Sequence, residues 1–140
     1  MAGTTIVREL DDRTLISGQI RPEEVAELKR QGVCLIVNNR PDGEDPGQPA
    51  SADVEQAARE AGIDYRFVPI ARGIGPSDIE AMREALNAPC EGKRLLYCRS
   101  GNRSALAWAV ARSEDGVPRE EIERCAARAG VDLGPVAHLL

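Results

Sequence analysis

The chain has one histidine, His138, close to its C-terminal end. A lone histidine there suits surface or packing better than a general base, so the chemistry has to be sought without imidazole. None of the four cysteines (Cys34, Cys90, Cys98, Cys125) forms a CxxC pair. Zinc-binding and thioredoxin-like redox motifs therefore have no support, and nothing in the sequence calls for a metal or a cofactor. No apolar run approaches the roughly 20 residues that a membrane-spanning helix needs. The first residues lack a basic segment followed by an apolar run, the mark of a secretory signal, so a cytoplasmic protein with reduced thiols is expected. Basic residues do not predominate either. With a net charge of −5, nucleic acid is not expected as a bulk partner, and any attraction to anions has to be local. There is no internal repeat.

What remains is an ordinary globular chain. Its 140 residues, 42% hydrophobic and 29% charged, fit one domain spanning 1–140 with a real core. Thr5 to Leu10 and Thr14 to Ser17, joined by Asp11-Asp12-Arg13, suggest a hairpin. Pro22 opens a helix that Gly32 ends, with Val25 and Leu28 on one face. Val33 to Val37 is a continuous apolar run, as in a strand buried on both faces; Cys34 within it, like Cys125 later, reads as core. Residues 39–50 are too rich in proline and glycine for regular structure, and a loop of this length in a small domain is more often functional than idle. A helix follows from Ser51 to Ala61, closed by Gly62, then a strand from Tyr65 to Ile70. Ser77 and Glu80 have capping-box spacing, which predicts a helix to about Asn87. Cys90 falls in a loop, Arg94 to Tyr97 reads as a strand, and helices are expected from Ser104 and from Pro118 to near Gly130. This alternation predicts an α/β domain with a mainly parallel central sheet flanked by helices.

In such sheets ligands sit beyond the carboxyl ends of the strands. The loops after Val37, Ile70 and Tyr97 should converge there, bringing Arg40, Asp42, Glu44, Arg72, Cys98, Arg99 and Arg103 together. The segment Tyr97-Cys98-Arg99-Ser100-Gly101-Asn102-Arg103-Ser104 carries the chemistry. It puts a cysteine at the end of a strand, in a tight loop, at the mouth of a helix. Inward-pointing backbone N–H groups and the helix dipole favour an anion at that spot, and the same field favours a thiolate over a thiol. Arg103 adds a planar fork suited to a multi-oxygen anion. Trp108, one turn into the following helix, reads as core. The residues expected to act are Cys98 as nucleophile, Arg103 on the anion and Ser104 on the Cys98 sulfur. Arg99, Ser100, Gly101, Asn102, Arg40 and Arg72 are the expected substrate-binding residues.

The strand–Cys–loop–Arg–Ser–helix unit resembles two groups of cysteine enzymes, the protein tyrosine and dual-specificity phosphatases and the rhodanese sulfurtransferases. The chain as a whole is similar to a bacterial family, the phosphatase-like domain of beta-lactamase hydrolase-like proteins. The match is carried by Asn38-Asn39-Arg40-Pro41-Asp42-Gly43-Glu44, Gln48-Pro49, Tyr65 to Ile70, Tyr97 to Ser104 with Trp108, and Ala129-Gly130-Val131-Asp132-Leu133. The resemblance implies a protein tyrosine phosphatase-like fold and a link to sulfur metabolism. Some members are joined to persulfide dioxygenases or sulfide-oxidising enzymes, so either would be an implied partner.

The departures from that pattern keep two activities open. Phosphatases place five residues between cysteine and arginine, whereas Cys98 and Arg103 are separated by four, the rhodanese spacing. Tyr97 stands where phosphatases usually carry histidine. The loop from Ala71 to Pro76 has no aspartate to act as general acid; Asp78 is the nearest, in a helical first turn where an acid is expected for dipole reasons alone. The first expectation is a phosphatase-like hydrolase acting on a phosphate ester through a thiophosphoryl-Cys98 intermediate. The alternative is a sulfurtransferase that takes sulfur from a sulfane-sulfur donor as a Cys98 persulfide and passes it to a thiol such as glutathione. A non-catalytic anion-binding module is the third.

Overall fold

The computed structural model describes residues 5–140. The expected hairpin forms, with β1 (Val7–Asp11) antiparallel to β2 (Thr14–Ser17). From β2 onward the sheet is parallel: β3 (Val33–Asn38), β4 (Asp64–Phe67) and β5 (Lys93–Tyr97) complete the order β1-β2-β5-β3-β4. The strand that leads into Cys98 is thus the central one. Its apolar run has a simple cause, since successive side chains feed opposite layers. Leu95 and Tyr97 pack with Val25 and Leu28 of α1 (Val25–Arg30) and with Val54 and Ala58 of α2 (Ser51–Ala61). Leu96 joins the other layer, among Met82 and Leu86 of α3 (Pro76–Asn87), Trp108 of α4 (Asn102–Glu114) and Ile122 of α5 (Arg119–Arg128). Trp108 is a core residue, and His138 is exposed, in the 3-10 turn Gly134–Leu139. The alanines of α4 (Ala105, Ala107, Ala109, Ala111) are all buried, so the helix that starts at the cysteine loop is packed over most of its circumference.

Three local readings change. The strand expected over Tyr65 to Ile70 ends at Phe67, because Pro69 has no N–H to donate. The chain stays extended beside its neighbour, with the Val68 and Ile70 amides donating to the Asn38 and Asn39 carbonyls at 2.8 and 3.0 Å. The helix expected from a Ser77–Glu80 capping box starts at Pro76 instead. It is Asp78 that reaches back, accepting from the Gly75 amide at 2.9 Å. Finally, Cys34 and Cys90 do not remain separate reduced thiols. Their sulfurs are in disulfide contact, with a Cα–Cα distance of 5.8 Å, and Cys34 is half-buried, not fully within the core. The pairing joins β3 to the turn before β5, across a sequence separation of 56. A cross-link over a loop of that length is worth about 4 kcal/mol in the chain-entropy account. Cys98 and Cys125 are left free.

Candidate active site

Ser17, Tyr97, Asn38 and Phe67 stand in register across the parallel strands. The residues next along the chain (Gly18, Cys98, Asn39 and Val68) therefore form one rim at the carboxyl end of the sheet. Cys98 sits at the centre of that rim, fully buried. Its amide donates to the Ser17 carbonyl at 3.3 Å, which anchors the loop to β2. The chain then turns through Arg99 and Ser100 to Gly101, whose φ of 97° is left-handed, a conformation that only glycine adopts without strain. That turn brings the Gly101 amide back to Cys98 Sγ at 3.1 Å. The Gly101 carbonyl accepts from Ala105 and opens α4, so the sulfur lies at the N-terminal end of a 13-residue helix. A backbone donor and the helix dipole thus both face the sulfur, an arrangement that favours an anion bound above it. Two features hold the loop from outside. Gly18 leaves room for it, since a Cβ there would come within 2.8 Å of the Arg99 carbonyl oxygen. Arg8 donates to the Ser100 carbonyl at 3.4 Å and the Ala129 carbonyl at 2.7 Å.

Arg103 ends the loop and bridges two others. Its Nη1 donates to the Ile70 carbonyl at 2.9 Å and to Glu44 Oε2 at 3.0 Å, while Nη2 reaches Glu44 Oε1 at 3.3 Å. The loops after β3, β4 and β5 therefore meet at this one guanidinium, as the topology required.

Comparison with known proteins places this arrangement. The family "Beta-lactamase hydrolase-like protein, phosphatase-like domain" matches residues 7–115. The chain belongs to this family. Among curated relatives, the beta-lactamase hydrolase-like protein of Xylella fastidiosa is 40% identical over 128 residues, covering 90% of this chain. That of Agrobacterium fabrum is 35% identical over 126 residues, covering 89%. The chain spans only 30% of the first relative's length and 29% of the second's. Among solved structures, a candidate phosphatase of Neisseria meningitidis is 34% identical with a TM-score of 0.78, each chain covered to 94%. Kinase associated phosphatase, at 16% identity and a TM-score of 0.73, with 96% of this chain and 88% of that one covered, shares the fold. The domain is thus a phosphatase-like α/β domain.

The family's Asn38 to Glu44 stretch has a physical role residue by residue. Asn38 accepts from the Arg40 amide at 2.8 Å and turns the chain out of β3. Asn39, wholly buried, donates to the Val68 carbonyl at 3.0 Å and accepts from the Ser104 hydroxyl at 2.7 Å. Ser104 therefore does not serve the Cys98 sulfur, contrary to expectation. It spends its proton on Asn39, because the buried amide oxygen would otherwise go unpaired, and the Gly101 amide takes the sulfur. Asp42 accepts from the Ser51 amide at 2.8 Å and so caps α2. Gln48 closes the loop on the Pro41 carbonyl at 2.9 Å.

Arg40, expected on the substrate, is buried with every guanidinium nitrogen engaged. Nε donates to Glu44 at 3.0 Å, Nη1 to Gln19 at 3.1 Å and Nη2 to Asp45 at 2.6 Å. It holds the loop rather than presenting a free fork. Arg99 is exposed and pairs with Asp45 at 3.3 Å, Ser100 and Asn102 are exposed on the loop, and Gly101 is buried in it. Arg72 is exposed and makes no hydrogen bond or ion pair among the described residues. Asp78 is committed to the Gly75 amide. Tyr97 lies buried under the loop, and burial pushes its phenol well above the ordinary tyrosine range, so it stays protonated.

Glu44 was expected at this rim, but with no role assigned to it. Its carboxylate joins the two arginines at the mouth of the site. Burial opposes its charge, but hydrogen bonds from Arg103 and Arg40 outweigh that and hold it below the usual carboxylate range. Glu44 is therefore ionised at neutral pH. Its depressed value means that its pairing supports the loop fully above the unfolded value of 4.5 and is lost as the pH falls through the lower folded value. The only signal in the sequence is its place in the long loop, since spacing does not show which carboxylate of Asp42, Glu44 and Asp45 reaches across. An incoming anion has to take Arg103 from Glu44. Glu44→Gln keeps the shape and removes the competing charge, so inorganic phosphate should bind Glu44→Gln several-fold more tightly than wild type in calorimetry at pH 7, on the scale of one partly exposed ion pair. Weaker binding would instead assign Glu44 to holding Arg103 in place.

Proposed function

We propose that the domain is a cysteine-dependent phosphatase-like hydrolase. The observation carrying this reading is the Cys98–Arg103 loop, with a backbone amide on Sγ at 3.1 Å and a guanidinium fixed at the loop's end by the Ile70 carbonyl. The 34% identical candidate phosphatase of the same fold supports it. In this mechanism the Cys98 thiolate attacks phosphorus and the ester P–O bond breaks. The loop amides and Arg103, freed from Glu44, hold the equatorial oxygens. Water then attacks the thiophosphoryl group, releasing phosphate and regenerating the thiolate.

Among the described residues the leaving group has no dedicated acid, Asp45 being paired with Arg40 and Arg99. Asp78 is tied to a backbone amide, Glu44 is ionised against two arginines, and Tyr97 is buried beneath the loop. Turnover should therefore depend steeply on the leaving group's own basicity. Aryl phosphates should be hydrolysed while phosphoserine is nearly inert, and Asp78→Asn should leave the aryl phosphate rate unchanged. Efficient phosphoserine hydrolysis that Asp78→Asn abolishes would overturn this assignment.

The missing acid and the four-residue spacing also favour a second reading, a sulfurtransferase. Cys98 would accept a sulfane sulfur as a persulfide and yield it to a thiol such as glutathione, a transfer whose leaving group is already a good anion. A persulfide dioxygenase or sulfide-oxidising enzyme would then be the partner. Mass spectrometry after thiosulfate or polysulfide treatment separates the two: one added sulfur on Cys98, without aryl phosphate turnover, selects sulfur transfer.

A further inference from the structure

We propose that the domain carries a second anion site, at the end of the sheet opposite Cys98, that takes a small, multiply charged oxyanion of the diphosphate class. There a cavity of about 780 Å³ opens between the β1–β2 turn, the start of β5 and one side of α4 and α5. Arg13, Arg94, Arg112, Arg124 and Arg128 line it, against three carboxylates, Asp11, Asp12 and Glu121. In a chain of net charge −5 this concentration of arginine is local and excess. Arg94 lies four residues before Cys98 on the same strand, so about 13 Å of β-strand rise separates the two ends.

The observation that points to a ligand is Arg94. It is only 7% exposed, its Nη2 donates to the Ala88 carbonyl at 2.8 Å, and its Nε is buried with no partner. A buried guanidinium without a paired carboxylate is costly, and among the described residues no carboxylate lies within ion-pair distance of Arg94. Among the described residues Arg13, Arg94, Arg124 and Arg128 make no ion pair. Arg112 reaches Asp115 only at 4.0 Å, and Arg83 already holds Asp115 at 2.7 Å. Arg13 donates to the Cys90 and Gly92 carbonyls, and Arg128 to the Leu10 carbonyl, so both are positioned by the backbone with their charge unmatched. Burial, and then the neighbouring charges of Arg13 and Arg112, disfavour the Arg94 cation, with Asp11 alone opposing them. A bound anion would relieve all three arginines at once. Guanidinium groups on two sides of a polar, open cavity suit a ligand with more than one anionic centre.

The test is calorimetric titration with inorganic diphosphate at low ionic strength. An Arg103→Ala background removes anion binding at the Cys98 loop. One diphosphate should still bind in that background, with amide shifts at Asn87, Arg94 and Arg112 in NMR spectra. Adding Arg124→Ala and Arg128→Ala, both exposed on α5, should weaken that binding at least tenfold with the circular dichroism spectrum unchanged. Removing the same charge elsewhere, by Arg30→Ala and Arg59→Ala, should leave it intact. No binding in the Arg103→Ala background would overturn the proposal. So would an equal loss in the two arginine pairs, which would reduce the effect to net charge, or amide shifts confined to residues 98–104.

Discussion

With Cys98 as the proposed nucleophile, Cys98→Ser should lose at least about a thousandfold in turnover in either chemistry, because among the described residues no free base stands ready to activate a serine hydroxyl there. The single histidine is exposed near the C-terminal end of the chain, and Glu44 and Asp45, the carboxylates paired at these loops, are each held by two arginines. The loop should survive the change. Its turn rests on the left-handed φ of Gly101, on the Cys98 amide to Ser17 and on Arg8 at Ser100 and Ala129; the Gly101 amide alone uses the sulfur, and a serine oxygen can accept in its place. Cys125 offers no substitute nucleophile. Burial, and next to it the charge of Asp11, push its thiol up, and it lines the cavity at the other end of the sheet. The remaining cysteines, Cys34 and Cys90, are paired. The measurement is initial rate with an aryl phosphate, and with thiosulfate plus cyanide, on wild type and variant. A variant retaining a tenth of wild-type activity in the working assay would remove Cys98 from the nucleophile's role.

The architecture was readable because its signals are local. Apolar runs gave the parallel strands, Gly62 gave the end of α2, and the strand–Cys–loop–Arg–helix order gave the rim at which three loops meet. What escaped the sequence depends on which of several equivalent partners a side chain finds. Ser104 could reach sulfur or an amide oxygen, and only the fold puts the buried Asn39 within 2.7 Å. The Ser77–Glu80 spacing offered a cap at Ser77; with Pro76 at the first helical position the cap falls two residues earlier, at Gly75, and Asp78 takes the place of Glu80. Cys34 and Cys90 have no motif between them, and their meeting follows from β3 lying beside β5. Arg40 looked like a ligand-binding residue because it follows a strand, yet residues only four and five positions further on fold back to occupy its fork. The arginine excess at the far end of the sheet is spread over positions 13, 94, 112, 124 and 128, so no window along the chain reveals it.

Arg103→Lys should separate the two chemistries as well as test the anion site. Lysine keeps the charge but replaces a planar fork with a single ammonium. In the native arrangement one guanidinium spans the Ile70 carbonyl and both Glu44 oxygens. Those geometric demands fall on two nitrogens, which a lysine cannot reproduce. A phosphoryl group in transfer spreads charge over three equatorial oxygens, and stabilising it depends on donors already in place. Aryl phosphate turnover should therefore fall on the order of a hundredfold in kcat, the scale seen when one oriented donor is removed. A sulfane sulfur carries less charge to be held and is enclosed by the short Cys98 loop itself. If sulfur transfer is the activity, Arg103→Lys should cost it only several-fold, with the loss falling on binding of the anionic donor. Full activity of Arg103→Lys with aryl phosphate would mean that charge alone suffices at this position and that the planar fork contributes nothing to the transition state.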